Sequence, residues 1–176
     1  MSVAVTFSFV ALALFILQTT FLTGADVFKN IDLFIILAAY LGFTHTAAQA
    51  VAPVMFMGLL AYTFSGGPGV TFIIMYGLIF VFCLALRRKT NLDLLLYRIA
   101  LVFVCSLGSG ILLLGDMVIS KVWLPLEWST LLVPAISTAA ISPLGCWLFS
   151  RVDGWRQHMT GRFTSRLMFQ KADRQP

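Results

Sequence analysis

Charge is scarce in this sequence. Only 11% of its 176 residues are Asp, Glu, Lys or Arg, against about 25% in an ordinary soluble domain, and none of the four occurs between Leu33 and Leu86. Most of the chain therefore cannot present an ordinary water-exposed surface. Histidine is limited to His45 and His158, and cysteine to Cys83, Cys105 and Cys146. All three cysteines lie in apolar stretches, where they read as small apolar side chains, so no disulfide framework is indicated. Without a His–Cys cluster or a local carboxylate pair, no zinc-type ligand set can be written, and no cofactor is expected. Catalytic patterns are equally wanting: there is no Gly-x-Ser-x-Gly elbow, no His-Glu-x-x-His pair and no Ser–His–Asp set with a workable layout. The chain is expected not to be an enzyme.

What remains is apolar: 60% of the residues are hydrophobic, in successive stretches long enough for a hydrocarbon core that needs about 20 residues per helix. The expected fold is an all-α polytopic membrane protein of about six transmembrane helices, with residues 1–150 forming the bundle. The first stretch, Ser2 to Ala25, lacks the basic n-region of a secretory signal and is read as a retained helix over about 3–22. The uncharged run from Leu33 to Leu86 is too long for two spans and is cut at two places. One is Gly42-Phe43-Thr44-His45-Thr46; the other is Ser65-Gly66-Gly67-Pro68-Gly69, the strongest turn signal in the chain. The cuts give helices at about 32–43, 48–64 and 70–86. Asn91 and Asp93 open a fifth helix that runs to about Leu114. A loop from Gly115 to Trp128 follows, with Trp123 and Trp128 as interfacial anchors, and a sixth helix covers 129–149.

The net charge of +5 flanks these spans rather than forming a platform for a nucleic acid strand. Arg87, Arg88, Lys89 and Arg98 fall on the same side as Arg151, Arg156, Arg162, Arg166, Lys171 and Arg174, while only Lys29 and Lys121 fall opposite. Positive residues collect in the cytoplasm, so both termini are expected there. A two-helix cut of the long run would satisfy the charges as well; span length and the two break signals reject it.

Several groups carry both a functional and a packing reading. Ser65, Gly66, Gly67, Pro68 and Gly69 could line a pocket or make a tight turn. Small residues four apart, Ala38 with Gly42, Ser106 with Gly110 and Ala135 with Ala139, could seat a partner helix or close the chain's own bundle; Gly58 is a further candidate of this kind. Arg98, about one turn into its helix, is an intramembrane charge or a side chain that snorkels to headgroups. His45 and Gln49 could face a polar cavity or a solvated turn. After residue 150, Val152, Trp155, Met159, Phe163 and Leu167 recur every three or four residues, with Arg151, Arg156, Arg162 and Arg166 between them. Residues 151–176 are therefore expected to form a basic, amphipathic cytoplasmic tail lying on anionic lipid.

The segment from Phe56 to Lys89, FMGLLAYTFSGGPGVTFIIMYGLIFVFCLALRRK, resembles a Gly-Leu-Leu-x-Asp-x-x-Ser-Gly motif, its following apolar helix and its closing basic cluster in the bacterial rod-shape-determining MreD family. Gln18-Thr19, Asp32-Leu33 and Pro134 before a basic tail extend the resemblance over roughly Leu14 to Arg156. The family often has Asp where this chain has Tyr62, so no role of that carboxylate carries over. The resemblance implies an inner-membrane component of the wall-elongation machinery that binds the bitopic scaffold MreC and helps position peptidoglycan synthesis. The family's architecture is also similar to the substrate-capturing subunits of energy-coupling-factor vitamin transporters. That leaves a rival expectation, a small-molecule importer subunit with a closed polar pocket, where a scaffold would have an apolar groove. Binding of a lipid-linked wall precursor is a third reading.

Overall fold

The structure is a computed structural model that describes residues 2–22, 31–65, 69–87, 95–119 and 128–172, with side chains at 21, 22, 64, 65, 69, 95, 117, 119 and 160–172 outside the description. Among these residues all regular structure is helical: α1 Val3–Leu17, extended by a π-helical segment Gln18–Leu22, α2 Leu33–Thr44, α3 Ala47–Ser65, α4 Gly69–Arg87, α5 Leu95–Ile119 and α6 Trp128–Ala172. Within the helices, Val3–Thr20, Val70–Arg87, Leu96–Asp116 and Trp128–Met159 are long and apolar enough to cross a membrane. The described residues thus form an all-helical fold suited to a membrane.

The helices begin where the sequence can satisfy their orphan amides. Ser2 Oγ accepts the Val5 N–H at 3.3 Å, and the Asp32 carboxylate accepts from Phe34 N–H at 2.9 Å and Ile35 N–H at 3.3 Å, as N-caps do. α2 stops at His45, whose backbone is extended. α6 tolerates Pro143, which cannot donate to the Ala139 carbonyl one turn back, because the Ser142 hydroxyl donates to that carbonyl at 2.8 Å.

α2 is the axis of the molecule. Ten of its twelve residues are buried, and it is apolar around its whole circumference, the pattern of a helix enclosed on all sides. The other helices surround it, and paired residues fix their directions. Asp32 meets Tyr76 and Thr138, while Tyr40 packs against Phe149 with ring centroids 5.5 Å apart. α2, α4 and α6 therefore run one way. Phe15 stacks on Phe34 and Phe7 packs tilted against His45, so α1 runs the other, as does α3, which follows α2 through a tight turn. The bundle has an Asp32 end and a His45 end.

Two boundaries differ from the sequence expectation. α5 continues to Ile119, which makes Gly115 and Asp116 helical rather than part of a loop. α6 does not stop near Phe149 but passes unbroken through Arg151 to Ala172. The reason lies in the sequence after the span: Asp153 and Arg156 pair at 2.8 Å at a spacing of three, which supports a helix, and the nearby Gly154 alone does not end one. No helix break marks the expected division at residue 150.

Candidate functional site

Two polar clusters cap the ends of α2. At one end Asp32 lies at helix depth, not in a surface loop: its partner Tyr76 is seven residues into α4, roughly 10 Å from the helix start at 1.5 Å per residue. The Tyr76 hydroxyl donates to Asp32 Oδ2 at 3.1 Å, and the Asp32 N–H donates to Thr138 Oγ1 at 3.2 Å. Gln18, in the π-helical segment, donates from Nε2 to the Ile31 carbonyl at 3.2 Å, while its Oε1 is buried without a protein partner. α2 is only twelve residues long, about 18 Å, so its first amides open inside the bundle, where water cannot satisfy them. The carboxylate takes that role, and α1, α4 and α6 are tied to it. Gln18, a residue of the family resemblance, thus holds the carbonyl of the residue before Asp32; Tyr76 and Thr138 complete a cluster that sequence reasoning missed. The available signal was the polar pair Thr138 and Ser142, one turn apart within an apolar helix.

At the other end His45 is buried against the rings of Phe7 and Tyr40, with centroids at 5.2 and 6.3 Å. Its Nε2 is 3.7 Å from Asp153 Oδ2, too long for a hydrogen bond. Arg87 donates to the His45 carbonyl at 3.2 Å, and Asp153 is held by Arg156. Burial lowers the His45 pKa below its ordinary 6.5; the Asp153 carboxylate opposes this, and Arg156 and Arg87 add to the fall. Of the expected pair, His45 is enclosed and Gln49 is exposed, yet the Gln49 side chain hydrogen-bonds to His45 and also opposes the fall.

The small residues serve chiefly inside the molecule. A Cβ on Gly42 would stand 2.6 Å from Cys83 Cβ, one on Gly58 2.7 Å from Ile73 Cα, one on Gly110 2.7 Å from Leu131, and one on Gly145 2.8 Å from Ile36. These are the contacts of α2 with α4, α3 with α4, α5 with α6, and α2 with α6. Ala135, Ala139 and Ser106 are buried. Ser65 closes α3 and Gly69 opens α4; Gly66, Gly67 and Pro68 lie outside the described residues.

One face is different. Between α4 and α5 runs a groove of about 400 Å³, lined by Met75, Leu78, Phe82, Val104, Gly108 and Leu112 among others. Leu78, Phe82, Val104 and Leu112 are exposed, and nothing lies within 4 Å of where a Gly108 Cβ would be.

The basic residues divide. Arg151 lies over the Trp147 ring at 5.3 Å. Arg156, expected to face lipid, instead turns inward: its side chain is only 16% exposed because Asp153 holds it. The side chains of Arg162 and Arg166 lie outside the description. Arg98, half-buried, lines a crevice against α6. Among the described residues no group of three or more His, Cys, Asp or Glu gathers that could hold a metal ion. In comparisons with known proteins, no family model, no curated protein and no solved structure matches the chain.

Proposed function

We propose that this chain is a non-catalytic scaffold of the bacterial inner membrane. It crosses the membrane six times with both termini cytoplasmic, seats the transmembrane helix of MreC, and so helps position the wall-elongation machinery. The observation that carries the reading is the groove between α4 and α5. It is apolar and open to the side, and Gly108 in its lining leaves room for another backbone to approach, which is how helices associate in lipid. The importer reading requires polar side chains converging on a closed chamber. In this chain Asp32, Tyr76 and Thr138 bond to one another and to the backbone instead.

The test is co-purification with MreC in mild detergent, using wild type and Gly108→Leu. A Cβ at this position meets nothing within 4 Å, so the added side chain enters the groove. Wild type is expected to retain MreC and the variant to lose about tenfold in affinity, roughly 1.4 kcal/mol, while staying monodisperse. A folded chain that never retains a competent MreC, or a small molecule carried through purification, would overturn the proposal.

A further inference from the structure

We propose that Cys83 and Cys105 form a thiol pair that gates the groove between α4 and α5, leaving it open as two thiols and narrowing it as a disulfide. The inference rests on the groove reading above and concerns the regulation of that same site. The groove is walled by residues between Met75 and Phe82 on α4 and between Val104 and Leu112 on α5. Cys83 follows Phe82 and Cys105 follows Val104, so the pair stands at the end of the groove nearest His45. There the two walls touch, with the sulfurs 4.0 Å apart. Access to the two thiols is unequal. Cys105 belongs to the groove lining, whereas Cys83 is fully enclosed, at 0% exposure. A small molecule that enters the groove from lipid therefore meets Cys105 first. Cys146 lines the separate crevice between α5 and α6 and is no part of the pair.

The reaction needs a two-electron oxidant that dissolves in hydrocarbon, and the proposal assigns that part to a small organic hydroperoxide. The Cys105 sulfur takes the terminal oxygen as the O–O bond breaks. Its thiol proton leaves on the other oxygen as an alcohol, and Cys105 becomes a sulfenic acid. The Cys83 sulfur then displaces the oxygen, which departs with the Cys83 proton as water, and an S–S bond joins α4 to α5. Two thiols have lost two hydrogens and two electrons, and the hydroperoxide has become one alcohol and one water. The bond draws the sulfurs from 4.0 Å to about 2.05 Å. A guest helix is about 10–12 Å across with its side chains, so walls drawn together and unable to spread seat it less well. Reduction by a dithiol restores both thiols and the seat. Because linkage is reciprocal, an occupied groove favours the thiol form by the same factor.

The test treats the full chain in mild detergent with tert-butyl hydroperoxide, measures its retention of MreC, and repeats the measurement after dithiothreitol. Peptide mapping is expected to find a Cys83–Cys105 bond within one chain. Affinity for MreC is expected to fall about tenfold, within the usual range of coupling between two sites, and to return on reduction. Cys83→Ala changes a residue outside the groove lining and is expected to retain MreC before and after the hydroperoxide, which separates the bond from oxidation of Cys105 alone. Should that variant not fold, the loss of MreC by wild type must track the fraction of chains that carry the bond. Reduced wild type that never retains MreC would end the groove reading and the gate with it. Where reduced wild type does retain MreC, three results would overturn the gate and leave the groove reading standing: no Cys83–Cys105 bond, equal retention by the bonded chain, or equal loss in Cys83→Ala.

Discussion

Asp32 shows how one residue can set the terms for a whole helix. Its carboxylate closes the amino end of α2 through Phe34 and Ile35 and receives the Tyr76 hydroxyl. Asp32→Ala removes the cap and leaves buried amides unpaired, at a cost of roughly 1–3 kcal/mol, whereas Asn also caps helices well. In detergent, Asp32→Ala is therefore expected to lower the melting temperature clearly, with Asp32→Asn much closer to wild type; equal losses would contradict the capping role. His45 makes a different kind of demand. Its pKa is depressed by burial, so the folded chain holds it neutral and the unfolded chain takes up the proton first. Stability is then fully present above 6.5 and falls as the pH drops from that value through the depressed one. A melting series from pH 8 to pH 5 should show this decline, and His45→Phe, compatible with its Phe7 and Tyr40 neighbours, should flatten it. A variant with the same slope as wild type would move the effect to another group.

Helix pairs are distinguished by what their glycines face. Gly42 lets α2 and α4 come so close that any side chain there would meet Cys83 and the Phe80 carbonyl. Gly42→Leu is expected to cost about 1–3 kcal/mol or more through overpacking, read as loss of monodisperse protein, while Gly108→Leu at the open groove leaves folding intact. The sequence marks both as small residues on apolar helices and cannot rank them, because the difference lies in neighbours 38 or more residues away for one and in empty space for the other. α4 and α5 offer a second check on their register. Cys83 and Cys105 sulfurs lie 4.0 Å apart, both buried, so a membrane-permeable two-electron oxidant should remove one hydrogen from each thiol and join them within the chain. After unfolding, alkylation should then find only Cys146. Three alkylated cysteines after oxidation would mean that α4 and α5 do not meet in this register.

At the scale of the molecule, the six helices were legible in the sequence because their breaks are chemical: Gly, Pro and Thr clusters, and charges at the ends. Which helix occupies the middle was not, since a strip such as Leu33–Thr44, apolar on every side, carries no period that names its neighbours. The ties of Asp32 to α4 and α6 were hidden for the same reason, its partners lying 44 and 106 residues along the chain. The continuation of α6 past Ser150 was also hidden, behind an amphipathic pattern that fits a surface helix equally well. One asymmetry does survive from sequence to structure: among the described residues, Arg87, Arg98, Arg151 and Arg156 all lie toward the His45 end, and the Asp32 end has Asp32 and Asp116 but no Lys or Arg. By the rule that positive residues stay on the cytoplasmic side, the proposed orientation puts the His45 end in the cytoplasm. Single cysteines at Gln49 and Gln157, exposed toward the His45 end, and at Trp128, exposed toward the other, test it. An impermeant maleimide added to intact cells should label Trp128→Cys and spare Gln49→Cys and Gln157→Cys until the membrane is opened. The reverse pattern would invert the orientation; labelling of Gln49→Cys and Trp128→Cys from the same side would break the alternation of α2 through α6 on which the six-crossing proposal depends.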